Sequence, residues 1–288
     1  MMKIDKGRVF KLEPAGFRAA NGDLCKTIRT ELIEEERALS KQDNSLNEYR
    51  KTHEEEALAP NIRYLMRCFQ YFIGHHIPSL HPTEGIATLL DVGCGIGLRI
   101  PLYLREIAVQ RRAAYIGLDP FPVNPNRDFF FINGRLEGLH KFLGNKFDCA
   151  IFSTSLDHFQ DLEAVTAEIH KIIKPDGVAI FWVGLHDPDV VAEQEMSESW
   201  RGFPILSWTK VLRRAGLFPI SILRMFLAMR RRQRMLSRGE ALDNLHFHYF
   251  TAHSLQRYME TVGEIIDCQR VEKTNSVFYA LRIRRGSK

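Results

Sequence analysis

Leu89-Leu90-Asp91-Val92-Gly93-Cys94-Gly95-Ile96-Gly97 decides how this chain is read. An apolar run stops at a carboxylate and turns through three alternating glycines. Leu98, Pro101, Leu102, Leu104 and Ile107 follow at the spacing of a helix's buried side. Strand, glycine turn and helix make the opening half of a nucleotide-binding βαβ unit. Glycine suits such a turn because the backbone must take positive φ or approach a ligand where a Cβ would intrude.

A second apolar run, Ala114-Tyr115-Ile116-Gly117-Leu118, ends at Asp119. A doubly wound sheet places its ribose-hydroxyl acceptor about 20 residues beyond the glycine turn, and Asp119 lies near that distance. A nicotinamide dinucleotide is disfavoured, because Leu98 stands where G-x-G-x-x-G requires its third glycine. A P-loop is disfavoured too, since no phosphate-binding lysine follows.

With this D-x-G-x-G-x-G run, the chain resembles the class I S-adenosylmethionine-dependent methyltransferases. The resemblance extends from about Thr88 to Trp182 and resumes near His246. Its later parts arrive in order: Phe147-Asp148, Leu156-Asp157-His158, and Lys174-Pro175-Asp176-Gly177 ahead of the apolar run Val178 to Val183. It implies an α/β fold with a doubly wound, mostly parallel seven-stranded sheet, Rossmann-like, and S-adenosyl-L-methionine as co-substrate. Ile265 to Val271 and Ser276 to Arg284 are then the closing antiparallel hairpin. The helix before them runs from Ser254 to Val262, with Thr251 as N-cap.

For the co-substrate the resemblance implies backbone contacts at Gly93, Cys94, Gly95 and Gly97. It places Asp91 near the methionine end and Asp119 and Pro120 at the ribose, with Ser153 at the next strand end. The family's third-strand turn reads Gly-Asp, its acid reaching the adenine. Here Gly134-Arg135 stands instead, so Glu137 or a backbone group at Leu136 is expected to take that contact.

The sulfonium is already electrophilic, so the enzyme mainly aligns a nucleophile, and general-base help is needed only for a poorly acidic hydroxyl. His158, just after the fourth strand, is the candidate base. Asp157 and His248 are further candidates, with His186 and His246 behind them. Three histidines fall within His246–His253, but no carboxylate or cysteine accompanies them at ligand spacing, so no metal is expected. The H-x-H-Y-F-T run resembles methyltransferases found with glycan assembly. The expected reaction is therefore methyl transfer to a small-molecule or glycan-like acceptor at a hydroxyl. The alternatives are N- or C-methylation of a secondary metabolite or lipid, and a catalytically inactive cofactor-binding scaffold.

The 288 residues hold ample apolar content for a core. A net charge of +5 does not by itself imply nucleic acid, which is an unlikely partner. Cys25, Cys68, Cys94, Cys149 and Cys268 form no C-x-x-C pair, which favours a reducing compartment over a disulfide framework. Met1 to Asp5 lead into charged sequence, and no apolar run is long enough to span a bilayer, so a cytoplasmic protein is expected. Residues 1–85 read as an N-terminal helical extension, with one helix over Thr27–Lys41 and another over Asn61–Ile77. Residues 86–288 read as the methyltransferase domain, with a helical cap insertion at 184–245. Within the cap, Arg230–Arg234 belongs to a basic, amphipathic segment suited to solvent, an anionic substrate group or anionic lipid.

Overall fold

The computed structural model describes residues 11–13, 16–18, 24–25, 27–29, 60–77, 86–95, 99–110, 113–120, 129–143, 147–186, 230, 247–271 and 274–284. Gly97, His246 and nearly all of the expected cap lie outside these residues. Arg230 is the one described position in the cap's arginine-bearing segment; it is helical and exposed.

The central strand is β5 (Thr88–Val92), buried at every position because both faces of the sheet are covered. It pairs in parallel with β6 (Ala114–Asp119) on one side and β8 (Phe147–Ser153) on the other. Beyond β6 lies β7 (Phe130–Asn133), and beyond β8 lies β9 (Ile173–Gly184). The hairpin β10 (Glu264–Arg270) and β11 (Ser276–Arg282) completes the far edge antiparallel, giving the expected seven strands. A short strand, β4 (Thr27–Arg29), joins β7 in parallel, so the sheet runs β10-β11-β9-β8-β5-β6-β7-β4. Three further strands, β1 (Lys11–Glu13), β2 (Gly16–Arg18) and β3 (Leu24–Cys25), form a separate small sheet.

Thr27–Arg29 therefore does not begin a helix, as the apolar spacing suggested. Thr27 and Ile28 are β-branched, and the edge of β7 offers them unpaired backbone groups. The expected Asn61–Ile77 helix is α1 (Pro60–His76), whose Phe69, Phe72, Ile73 and following Ile77 are buried.

Alternation along β5 sorts the core into two layers. Leu89 joins α1 and α2 (Leu102–Gln110) on one face; Leu90 and Val92 join α3 (Leu162–Ile172) and α4 (Ala252–Val262) on the other. Asp91 shares its face with Leu89, which turns its carboxylate toward α2. Helix α4 starts at Ala252, two residues before the expected Ser254. The Thr251–Ser254 capping box captures that extra turn.

Strand β9 likewise begins at Ile173 rather than Val178. The Lys174-Pro175-Asp176-Gly177 segment is a bulge within it, between the Phe147–Ile173 and Cys149–Val178 pairs. Asp176 takes a left-handed φ of 62°, and a Cβ on Gly177 would lie 2.8 Å from the Asp148 carbonyl oxygen. Asp148 itself fastens the base of the sheet. Its Oδ2 accepts from the Thr88 amide and hydroxyl, each at 2.8 Å, and its Oδ1 from Lys174 Nζ at 2.8 Å.

Candidate active site at the strand switch point

Chain direction across the sheet reverses at β5: β6 follows it on one side and β8 returns on the other. Outside the carboxyl ends of these two strands lies the crevice where open α/β sheets bind ligands. Two turns meet there. Gly93 (φ 75°) and Gly95 (φ 73°) shape the first, and Ser153-Thr154-Ser155 the second.

Ser155 Oγ donates to the Val92 carbonyl at 2.6 Å, which brings the second turn hard against the first. A Cβ on Gly93 would stand 2.4 Å from the Ser155 Cβ, so only glycine fits. The amides of Gly93 and Cys94 donate to the Leu118 carbonyl, and Gly95 N donates to Asp119 Oδ2 at 2.8 Å. Asp119 is thus tied to the glycine turn at the end of β6. Asn133 Nδ2 donates to the Asp119 and Pro120 carbonyls, holding the β6 exit against β7.

Below the first turn Asp91 is completely buried. Tyr103 from α2 and Tyr115 from β6 both donate to its Oδ2, at 2.9 and 2.8 Å. Its Oδ1 is buried with no hydrogen-bond partner among the described residues. Burial is the main cause that raises its pKa to about 7; the two phenols oppose the rise and nearby Asp119 adds to it. Ser153 at the end of β8 hydrogen-bonds Tyr103, so one polar network reaches from β6 through β5 to β8.

The opposite rim follows β8. Thr154 is held at a φ of 54°, a conformation that β-branched residues rarely take, while its amide donates to the Trp182 carbonyl. Asp157 is buried and His158 exposed, with His158 Nε2 3.8 Å from Asp157 Oδ1. The amides of Phe247 and His248 donate to the Asp157 carbonyl, which docks the 247–250 segment on this rim. His248 Nε2 lies 3.3 Å from the Gln160 carbonyl. His186 and Tyr249 meet edge-on, centroids 5.2 Å apart, and the His186 amide donates to Phe250.

A family model described as a methyltransferase domain matches residues 46–264. The chain belongs to this methyltransferase family. No curated protein sequence matches it. Among solved structures it is similar to the 1,6-didemethyltoxoflavin-N1-methyltransferase of Burkholderia thailandensis, crystallised with its substrate and S-adenosylhomocysteine. That similarity is at 15% identity over 99% of each chain, with a TM-score of 0.52. It is also similar to the N-methyltransferase NodS of Bradyrhizobium japonicum in complex with S-adenosyl-L-homocysteine, at 11% identity. There 84% of this chain and 98% of that chain are covered, with a TM-score of 0.46. The first of these likenesses is one of fold. The chain is an S-adenosylmethionine-dependent methyltransferase of the Rossmann-like class.

In this methyltransferase the residues singled out from sequence fall into three groups. Gly93, Cys94, Gly95, Asp119, Pro120 and Ser153 gather at the switch point, with Asp91 beneath them. Leu136 is a core side chain, packed with Leu139 and Leu143, so only its backbone faces other uses. Glu137 follows it with Oε2 buried and without a hydrogen-bond partner among the described residues. Asp157, His158 and His248 share the β8 rim.

Tyr103, Tyr115, Ser155 and Asn133 escaped the sequence reading. Tyr103 and Tyr115 sit in apolar helix and strand patterns, where a tyrosine reads as core. The Asp91 carboxylate, on a different element from either, gives their hydroxyls a purpose. Among the described residues no group of three His, Cys, Asp or Glu could hold a metal ion. No described helix is long and apolar enough to cross a membrane.

Proposed function

We propose that this methyltransferase transfers a methyl group to a hydroxyl of a small-molecule or glycan-like acceptor, with His158 receiving the hydroxyl's proton. The observation that carries the reading is the exposed His158 imidazole beside buried Asp157, on the β8 rim of the crevice. The Asp157 carboxylate lies 3.8 Å from that imidazole, and His248, fixed to the same rim, borders the acceptor space.

The described residues fit S-adenosylmethionine. Gly93 and Gly95 turn the backbone at positive φ outside β5, and Asp91 and Glu137 each keep a buried carboxyl oxygen with no hydrogen-bond partner among the described residues. Gly93, Cys94 and Gly95, with Gly97 next in the run, hold the methionine end from the backbone, and Asp91 lies below it. Asp119 accepts from the ribose hydroxyls beside Pro120. Glu137 and the Leu136 backbone take the adenine edge, replacing the acid whose place Arg135 occupies. Ser153 closes the crevice at β8. When bound, the donor supplies an electrophilic methyl on a sulfonium. The chain's part is to align the acceptor oxygen, exclude water and take the proton at His158 Nε2 or Nδ1.

Residues 1–85 act in this reading as an extension of the 86–288 domain, and the 184–245 insertion as its cap. Arg230–Arg234 would receive an anionic group of the acceptor. The scattered cysteines support a cytoplasmic setting. Incubating the protein with methyl-labelled S-adenosylmethionine and fractionated cell extract tests the acceptor class. Label in an alkali-stable ether of a glycan or small hydroxy compound supports the proposal. Label at nitrogen, carbon or in lipid replaces the acceptor, and none in any fraction supports a non-catalytic scaffold. With the acceptor in hand, His158→Ala should lower kcat by roughly 10²–10⁴-fold while donor affinity holds. Asp119→Ala should do the reverse.

A further inference from the structure

Asp91 has three features that a structural carboxylate does not need: complete burial and, among the described residues, an idle acceptor oxygen and no cation acting on it. Tyr103 from α2 and Tyr115 from β6 fill Oδ2, and Oδ1 has no hydrogen-bond partner among the described residues. Among the described residues, the other ionisable groups around this cluster are Asp119 at the end of β6, Cys94 in the glycine turn and Cys149 on β8. Each is neutral or negative. A carboxyl group so enclosed resists ionisation until a positive charge arrives.

The strand order says where that charge comes from. Asp119, the ribose acceptor, ends β6, and His158 follows β8; β5 lies between them. A donor reaching from one to the other carries its sulfonium and α-ammonium across the end of β5, over Asp91. We propose that Asp91 is neutral in the donor-free enzyme and ionises when S-adenosylmethionine binds, releasing one proton and becoming the counter-charge of the cationic sulfur. This rests on the crevice being the donor site. On binding, the Asp91 O–H bond breaks and its proton passes to solvent. Once the methyl has left, the sulfur is a neutral thioether, and Asp91 takes a proton back from solvent. Nothing is oxidised or reduced. The spent donor keeps its α-ammonium but has lost the charge pair at sulfur, which favours its departure over that of fresh S-adenosylmethionine. The pKa of about 7 set by burial places the exchange near neutrality.

Calorimetric titration near pH 6, in two buffers of different ionisation enthalpy, counts the protons. At that pH the donor's own α-amino group stays charged, since such groups titrate at about 7.7–8.0. S-adenosylmethionine should release nearly one proton from the wild-type enzyme, and S-adenosylhomocysteine clearly less. Below neutrality, donor affinity should tighten by up to about tenfold for each unit by which the pH rises. Asp91→Asn should remove the release and flatten the profile. Equal proton counts in wild type and Asp91→Asn, or for the two ligands, overturn the proposal. The absence of saturable binding by either ligand instead overturns the donor-site reading beneath it. Should Asp91→Asn fail to fold, infrared difference spectra of the wild-type enzyme decide. Loss of a buried carboxylic-acid band with S-adenosylmethionine but not with S-adenosylhomocysteine supports the proposal. Persistence of that band at saturation refutes it.

Discussion

Two Gly→Ala substitutions in this fold should act in opposite directions, because the space around the new methyl differs. At Gly93 the alanine must adopt a φ of 75° and place its Cβ 2.4 Å from Ser155 Cβ. The left-handed conformation costs about 1–2 kcal/mol. Relieving the overlap costs about 1–3 kcal/mol more, since Ser155 is held by its bond to the Val92 carbonyl. Gly93→Ala should therefore destabilise by about 2–5 kcal/mol, a large part of a typical total of about 5–15 kcal/mol. A Cβ added at Gly74, within α1, meets no atom of the described residues within 4 Å. There alanine should stabilise by about 0.5–1 kcal/mol, through the entropy of the unfolded chain. Urea denaturation of both variants, and of Gly93→Ala combined with Ser155→Gly, tests the account. The double variant removes the overlap but not the backbone strain, so the cycle should show a coupling of about 1–3 kcal/mol. Destabilisation by less than about 1 kcal/mol at Gly93, or strict additivity with Ser155→Gly, would refute the reasoning.

Asp148→Ala strips the Thr88 amide and Lys174 of their acceptor and should cost about 1–3 kcal/mol in urea melts, with donor affinity unchanged. In the donor-free enzyme Asp91 binds a proton between its ordinary pKa of 3.8 and about 7, which the unfolded chain does not. Its contribution to stability is thus complete below the lower value and lost as pH rises through the upper one. The stability of Asp91→Asn relative to wild type should accordingly rise between those limits, by up to about 4 kcal/mol. Replacing Asp176, at a φ of 62°, by glycine should leave stability unchanged or raise it by about 1 kcal/mol in thermal melts.

Much of the site was legible in the order of residues along the chain. Asp91 to Gly95 had to be a strand followed by a turn, because alternating glycines after an apolar run admit little else. Asp119 could be placed by its distance from them, and the strand, turn and helix after Phe147 by the family's own sequence of motifs. Boundaries were less secure where backbone partners decided them. Thr27–Arg29 pairs with the edge of β7, and Lys174–Gly177 bulges within β9, neither of which apolar spacing reveals.

What the sequence determined by itself was local chemistry: where the backbone must turn without a Cβ, which acids stand at strand ends, and which donor such a turn suits. Tertiary structure alone decided how those acids behave. Asp91 looks the same on paper as Asp119. The alternation of β5 turns Asp91 into a closed layer between two tyrosines, while Asp119 is tied to the glycine turn at the crevice. A carboxylate's charge depends on what replaces its water. That replacement comes from residues distant in the chain, which no local pattern encodes.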